Sequence, residues 1–286
     1  IMQFPRDTYV SYGVPTSKIN ATFSTYYSQA LNEGKSEEEA RMSGLREFGD
    51  ILEEALGINI YKCAIMNLDG FVNIVDALGG VEMNVPYRLN YSDPGQNLYI
   101  DLYPGYQTLT GAEAEQFVRF RHGYLQADIG RENAQKIFMS AFIQKAKSSL
   151  NISNVGTLTT VATEIIDNLT TDITVSDFVY FAKEMLGKVD LSNIKMLTVP
   201  GEPLSNEYGW SYYVLNRQSL HTLVNEYFNT SDTKEIPSSI FDSQLYFTDT
   251  ASSIFTNSYY STDVPPINEE FDAKDIIDNS IDIPMY

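Results

Sequence analysis

The segment NLDGFVNIVDALGGVEMNVP, residues 67–86, sets the strongest constraint on how this chain folds. Phe71, Ile74, Val75 and Leu78 fall at i, i+3, i+4 and i+7, which predicts a helix over 67–80. Gly79-Gly80 stops that helix, and VEMNV follows as a strand ended by Pro86. A helix that hands over directly to a strand is the working unit of a layered α/β domain. The same grammar recurs along the chain. Ser36 and Glu39 form a capping box for a helix through Leu56, closed by Gly57. Thr110 and Glu113 form a second box, opening a helix toward Phe117. Further helices are expected at about 129–149, 155–168, 174–187 and 217–228, and strands at 59–66, 194–199 and 211–216.

Charge and composition exclude several classes of function. With 19 Lys and Arg against 38 Asp and Glu, the net charge of −19 opposes broad nucleic-acid binding, which needs phosphate neutralisation over a wide surface. It leaves room for one local cationic pocket. Cys63 is the only cysteine, so there is no intrachain disulfide and no Cys-based zinc site. Its place in NIYKCAIM reads as a packed thiol on a strand. His122 and His221 are too few and too scattered for a histidine metal centre, and neither lies near a G-x-S-x-G nucleophile motif. No run approaches the roughly 18 apolar residues that span a bilayer. IMQFP reads as the end of a strand, so a segment upstream of it, with any anchor, is expected outside this chain. From about Thr230, Ser, Asp, Thr and Tyr dominate and EEFDAKDIIDNSID is strongly acidic, so residues 231–286 read as a loosely packed or disordered tail.

Against this acidic background, three of the eight arginines sit between 119 and 131, in RFRHGYLQADIGR. Such a cluster either pairs with the chain's own carboxylates or holds an anion. In a helix, Arg119 and Arg121 would point about 200° apart. They share a face only where the backbone is extended, so the helix from Thr110 must end near 117–120 for both to act together. Asp128 is placed to cap a following helix whose first turn carries Arg131. Gln135 lies at i+4 from Arg131, and Phe138 and Phe142 continue the stripe, giving a face polar at one end and apolar further in. The first turn of such a helix also favours an anion. The plainer reading pairs Arg119 with Glu115 and Arg131 with Asp128 as ordinary ion pairs. Composition leaves both open.

Five motifs then occur in one order and spacing: PRDTYV (5–10), KINATF (18–23), NLDGFVNIVDALGGVEMNVP (67–86), LTGAEAEQFVRFRH (109–122) and DIGRENAQ (128–135). Together they resemble the LytR-CpsA-Psr family, over roughly residues 1–230; VSDFVYFAKEM and GWSYYVLN resemble its C-terminal half. The resemblance implies an α/β/α sandwich with a central mixed β-sheet and a long apolar pocket for a lipid chain. It implies an extracytoplasmic enzyme, tethered by an N-terminal membrane helix. That enzyme moves a glycopolymer, such as wall teichoic acid or capsule, from a polyprenyl-pyrophosphate carrier to peptidoglycan with Mg²⁺ or Mn²⁺. By motif, Arg6, Arg119, Arg121, Arg131 and Gln135 would hold the pyrophosphate, and Arg6, Asp7 and Asp128 would serve catalysis, Asp7 also as a metal ligand. Asp128 is equally read as a helix cap, and Asp7 as a brace for Arg6. Phe71, Ile74, Val75, Leu78, Phe138 and Phe142 would line the lipid pocket or form plain core. A phosphatase acting on the same carrier, and a module that binds it without turnover, are the alternative readings.

Two departures from the family pattern stand out. Ala134 occupies the place where the family commonly has another arginine, three after Arg131. The strand expected before IMQFP, which brings an aspartate to the metal, is not in the chain.

Overall fold

In a computed structural model, residues 1–10, 18–124, 127–149, 155–186, 188, 190, 194–206, 208, 210–228, 255–258 and 271–272 are described. The element order begins β1 (Met2–Gln3), α1 (Thr22–Asn32), α2 (Glu37–Leu56), β2 (Ala64–Met66), α3 (Leu68–Ala77) and β3 (Val81–Val85). Then come β4 (Leu89–Asp93), β5 (Leu98–Leu102), β6 (Gly105–Leu109), α4 (Gly111–Arg119), α5 (Ala127–Ser149) and α6 (Val155–Ile166). The order closes with β7 (Leu169–Thr171), α7 (Val175–Phe181), β8 (Lys195–Thr198), β9 (Gly201–Asn206), β10 (Ser211–Leu215), α8 (Arg217–Phe228), β11 (Phe255–Ser258) and β12 (Phe271–Asp272). The class is mixed α/β, and the strands form small sheets of two or three members.

The chain divides into two compact units, where the sequence reads as one domain over 1–230 followed by a tail. One unit is built on Ala64–Met196 and the other on Met2–Cys63 with Leu197–Glu270. In the first, the antiparallel pairs β3–β6 and β4–β5 turn Val81, Met83, Val85, Leu89, Ile100, Leu102 and Leu109 inward. These pack with Phe117, Phe120, Tyr124 and Phe138 of the α4–α5 region into one core. In the second, Val10, Ile19, Leu56, Val199, Tyr213, Leu215, Leu220 and Val224 form a separate core.

Both capping boxes form as the sequence predicts, Ser36 with Glu39 and Thr110 with Glu113. Gly57 closes α2 at φ 63°, in the left-handed region that a Cβ disfavours. Three sequence expectations need correction. NIYKCAIM is a strand only at Ala64–Met66, because β7 is three residues long and offers its partner no further pairing. The helix expected over 174–187 is α-helical to Phe181 and continues as a π-turn over Ala182–Leu186. The tail is not wholly without order: β11 pairs antiparallel with β9 and β12 with β8, and its other residues lie outside those described. α1, β7 and β9 had no counterpart in the sequence reading.

Candidate functional site

The arginine-bearing stretch begins where α4 ends. Arg119 is the last helical residue, and Phe120 leaves the helix with φ −62° and ψ 136°. The buried Phe120 ring anchors that break in the core, so the chain turns out of the helix at the middle of RFR. Arg121 follows as an exposed residue beyond the helix. Arg119 donates from Nη1 to Glu115 Oε1 at 2.6 Å, with the two side chains 23% and 25% exposed. The plainer reading of Arg119, a pair with Glu115, therefore describes its resting contact. That pair holds the guanidinium in one orientation at the end of α4.

α5 is described from Ala127, so Asp128 lies within the helix rather than before it, and its expected capping role is corrected. The side chains of residues 127–129 lie outside the description, so the Asp128 carboxylate and its pairing with Arg131 do too. Gly130 meets the Tyr124 side chain so closely that a Cβ there would come within 2.3 Å of Tyr124 Cβ. The glycine of the DIGRENAQ motif is thus a packing requirement. Arg131 and Gln135 are half-buried, and Gln135 Nε2 donates to the Val118 carbonyl oxygen at 3.2 Å. This bond ties α5 to the end of α4 that carries Arg119. Ala134 is fully buried in the core.

Further along α5, Phe138, Met139, Phe142 and Ile143 line an apolar cavity of about 570 Å³. Phe71, Ile74 and Leu78 of the α3 segment line it as well. Val75 does not: it is fully buried in the neighbouring core, because α3 is covered on more than one side. The remaining wall was not named from sequence. It comes from Met66 and Leu169, paired across β2 and β7, and from Ile165, Ile173, Phe178, Phe181 and Ile194. Only the apolar spacing of α6 and α7 hinted at it. Among the described residues, Lys147 is the one charged residue on the lining.

Arg6 and Asp7 belong to the other unit and occupy a tight turn. Thr8 closes it by donating from both its amide and its hydroxyl to the Pro5 carbonyl, at 3.0 and 2.7 Å. Tyr9 N–H to Tyr213 O and Tyr213 N–H to Asp7 O then fix the segment beside β10. Asp7 lies 3.4 Å from Arg6 Nε and 3.0 Å from Lys18 Nζ, and accepts a long bond from Asn20. Lys18 and Asn20, both from KINATF, are the supporting residues that sequence reading did not assign. Among the described residues no group of three or more His, Cys, Asp or Glu is arranged to hold a metal ion. Asp7, with a cation at each oxygen, does not make a divalent-cation site without further ligands.

Comparison with known proteins places the whole. The LytR_cpsA_psr family model matches residues 1–229, and the chain belongs to that family. Among its relatives is the cell wall biosynthesis protein LcpA of Corynebacterium glutamicum, 26% identical over 79% of this chain and 45% of LcpA. Another is the polyisoprenyl-teichoic acid–peptidoglycan teichoic acid transferase TagU of Bacillus mycoides, 30% identical over 66% of this chain and 60% of TagU. The chain thus spans about half the length of such relatives. The crystal structure of Bacillus subtilis TagV shares the fold, with a TM-score of 0.58 and 22% identity over 80% of this chain and 83% of that one.

Proposed function

We propose that this chain transfers a glycopolymer from a polyprenyl-pyrophosphate carrier to peptidoglycan, on the outer side of the cell membrane. The observation that carries the proposal is helix α5. Its first turns hold Arg131 and Gln135, and Phe138 and Phe142 of the same helix line the apolar cavity. At about 1.5 Å per residue, Arg131 and Phe142 lie roughly 16 Å apart along the axis. One helix therefore offers an arginine for a pyrophosphate near one end and an apolar wall for the chain attached to it. A prenyl chain gains about 0.8 kcal/mol for each buried CH₂, enough to hold an anionic lipid on an acidic protein. The names of TagU and TagV as teichoic acid transferases support the reaction class. TagT, with a TM-score of 0.56 and 23% identity, has been solved bound to LIIa-WTA.

The chemistry assigned to each residue follows from charge. Breaking the sugar–pyrophosphate bond leaves an anion whose charge grows as the bond lengthens, and guanidinium forks stabilise it as it develops. Arg119, oriented by Glu115, and Arg121 and Arg131 take that role in the proposal, with Gln135 locking α5 to α4. Asp7 braces Arg6 and Lys18. Asp128 is the carboxylate assigned to take the proton of the acceptor hydroxyl. Mg²⁺ or Mn²⁺ stays in the proposal only with ligands beyond Asp7, and no step is routed through it. Membrane anchoring is assigned to a segment outside this chain; among the described residues no helix is long and apolar enough to cross a membrane.

The test is incubation with a polyprenyl-pyrophosphoryl glycan and peptidoglycan fragments in the presence of Mg²⁺. Glycan covalently joined to peptidoglycan is the expected product. Release of polyprenyl phosphate and glycosyl phosphate with no joined glycan would make the chain a phosphatase, and unchanged lipid retained by the protein would make it a carrier-binding module.

A further inference from the structure

The outer face of the β4–β5 hairpin has a composition unlike an ordinary solvated sheet. In this hairpin Leu89 pairs with Leu102, Asn90 with Asp101, Tyr91 with Ile100 and Ser92 with Tyr99. Side chains alternate between faces along a strand, so Asn90, Ser92, Tyr99 and Asp101 share the exposed face. Tyr103, two residues beyond Asp101, continues it, and Arg88 stands before Leu89 at the facing end. No lysine, glutamate or aliphatic residue interrupts this set. Tyr99 and Tyr103 are 58% and 65% exposed, in a part of the fold with a complete core beneath it.

The polar groups hold one of these rings in place. The Arg88 guanidinium lies 3.9 Å from the centroid of the Tyr103 ring, covering one of its faces. Arg88 is itself fixed: it donates to the carbonyls of Leu89 and Leu102, at 3.2 and 2.8 Å, and to Asp101. Asn90 also donates to Asp101, at 3.1 Å, and the Asp101 amide is tied to Gln116 of α4. The outcome is a rigid aromatic plate with one face braced and the other turned to solvent. Tyr99 stands four residues away along the strand, about 14 Å at the usual rise. Between the two rings lie an amide, a hydroxyl and a carboxylate.

We propose that this face binds a linear glycan of N-acetylhexosamines, the sugar backbone of the peptidoglycan strand. Flat sugar faces stack on aromatic rings, and hydroxyl and acetamido groups pair with Asn, Ser and Asp side chains. The charge balance selects the ligand. Arg88 is matched by Asp101, so the face carries no excess positive charge to attract a phosphate-rich polymer. The acceptor strand, rather than the anionic donor polymer, therefore fits. The choice of source rests on the function proposed above; the ligand chemistry does not.

The test uses the full chain and an N-acetylglucosamine oligomer, followed by titration calorimetry and by co-sedimentation with insoluble peptidoglycan. Saturable binding is expected, weakened about tenfold by Tyr103→Ala, less by Tyr99→Ala, and retained by Tyr103→Phe. Arg88→Ala is expected to weaken it as well, since the plate loses its brace. Salt should change the affinity little, because no ion pair forms with the ligand. Binding of polyprenyl pyrophosphate, measured on the same variants, should stay unchanged. Arg119→Ala should show the reverse pattern, so failure of one proposal is separable from failure of the other. Absence of binding by the unaltered chain overturns the assignment. So does equal affinity in the Tyr99→Ala/Tyr103→Ala double variant, or displacement of the oligomer by an anionic teichoic acid polymer in a salt-sensitive manner.

Discussion

Two of the segments that carry an arginine beside a carboxylate, those of Arg119 and Arg6, are built in opposite ways. Arg119 ends a capped helix, is largely covered, and is held by a carboxylate one turn back on the same helix. Arg6 sits at the tip of a four-residue turn, with its side chain 64% exposed, and the neighbouring Asp7 is shared with Lys18. In the first case the scaffold fixes the cation; in the second the scaffold fixes the backbone and leaves the cation to solvent. Placement of the same residue type on a rigid, half-buried element strengthens each of its hydrogen bonds, because less water competes and less entropy is lost.

The contrast has measurable consequences. Arg119→Ala should lower affinity for a polyprenyl pyrophosphate by about a hundredfold, ~2.7 kcal/mol, whereas Arg6→Ala should cost about tenfold. Equal losses in direct binding would erase the distinction between the two segments. Gly130→Ala should destabilise the fold by about 1–3 kcal/mol in chemical denaturation, since the new methyl has no room beside Tyr124. A neutral outcome there would show that the α4–α5 region yields more easily than its packing suggests.

Tyr124→Phe should act in the other direction. The Tyr124 hydroxyl is buried with no hydrogen-bond partner among the described residues, so its removal should stabilise the fold by about 1 kcal/mol. Burial also pushes the Tyr124 phenol up from its usual value. The folded state then keeps a proton that the unfolded chain releases above about pH 10, so this contribution is complete below that pH and is lost as pH rises further. Denaturation curves from pH 8 to 11 should fall less steeply in the phenylalanine variant. Lys18→Ala should change thermal stability by about 1 kcal/mol or less, as expected for a partly exposed pair whose carboxylate is also shared with Arg6.

The parts of the fold that were legible in the sequence are those written locally. Ser36 with Glu39, Thr110 with Glu113 and the glycines at 57, 79 and 80 mark helix ends through contacts no more than a few residues apart. The break inside RFR was a condition for Arg119 and Arg121 to act together rather than a local signal, and α4 does end at Arg119. Val75 shows the limit: its helical stripe was clear, but one stripe can face both a cavity and a core, and only distant partners decide which. The cavity wall from α6 and α7 and the pairing of β11 with β9 depend on residues far apart in sequence. Of the candidate site, the residue types and their order were legible. The brace of Arg119 was one of two open readings, and the braces of Asp7 by Lys18 and Asn20 were not foreseen.

Ala134 has no accessible surface and belongs to the cluster that contains Phe117, Phe120, Tyr124 and Phe138. An arginine introduced there alone would need space that these rings fill and water that the site excludes. Its acceptability is therefore conditional on its neighbours. Restoring an arginine would take compensating changes among these rings, so the residue at position 134 and the packing of the four aromatic side chains form a single structural choice.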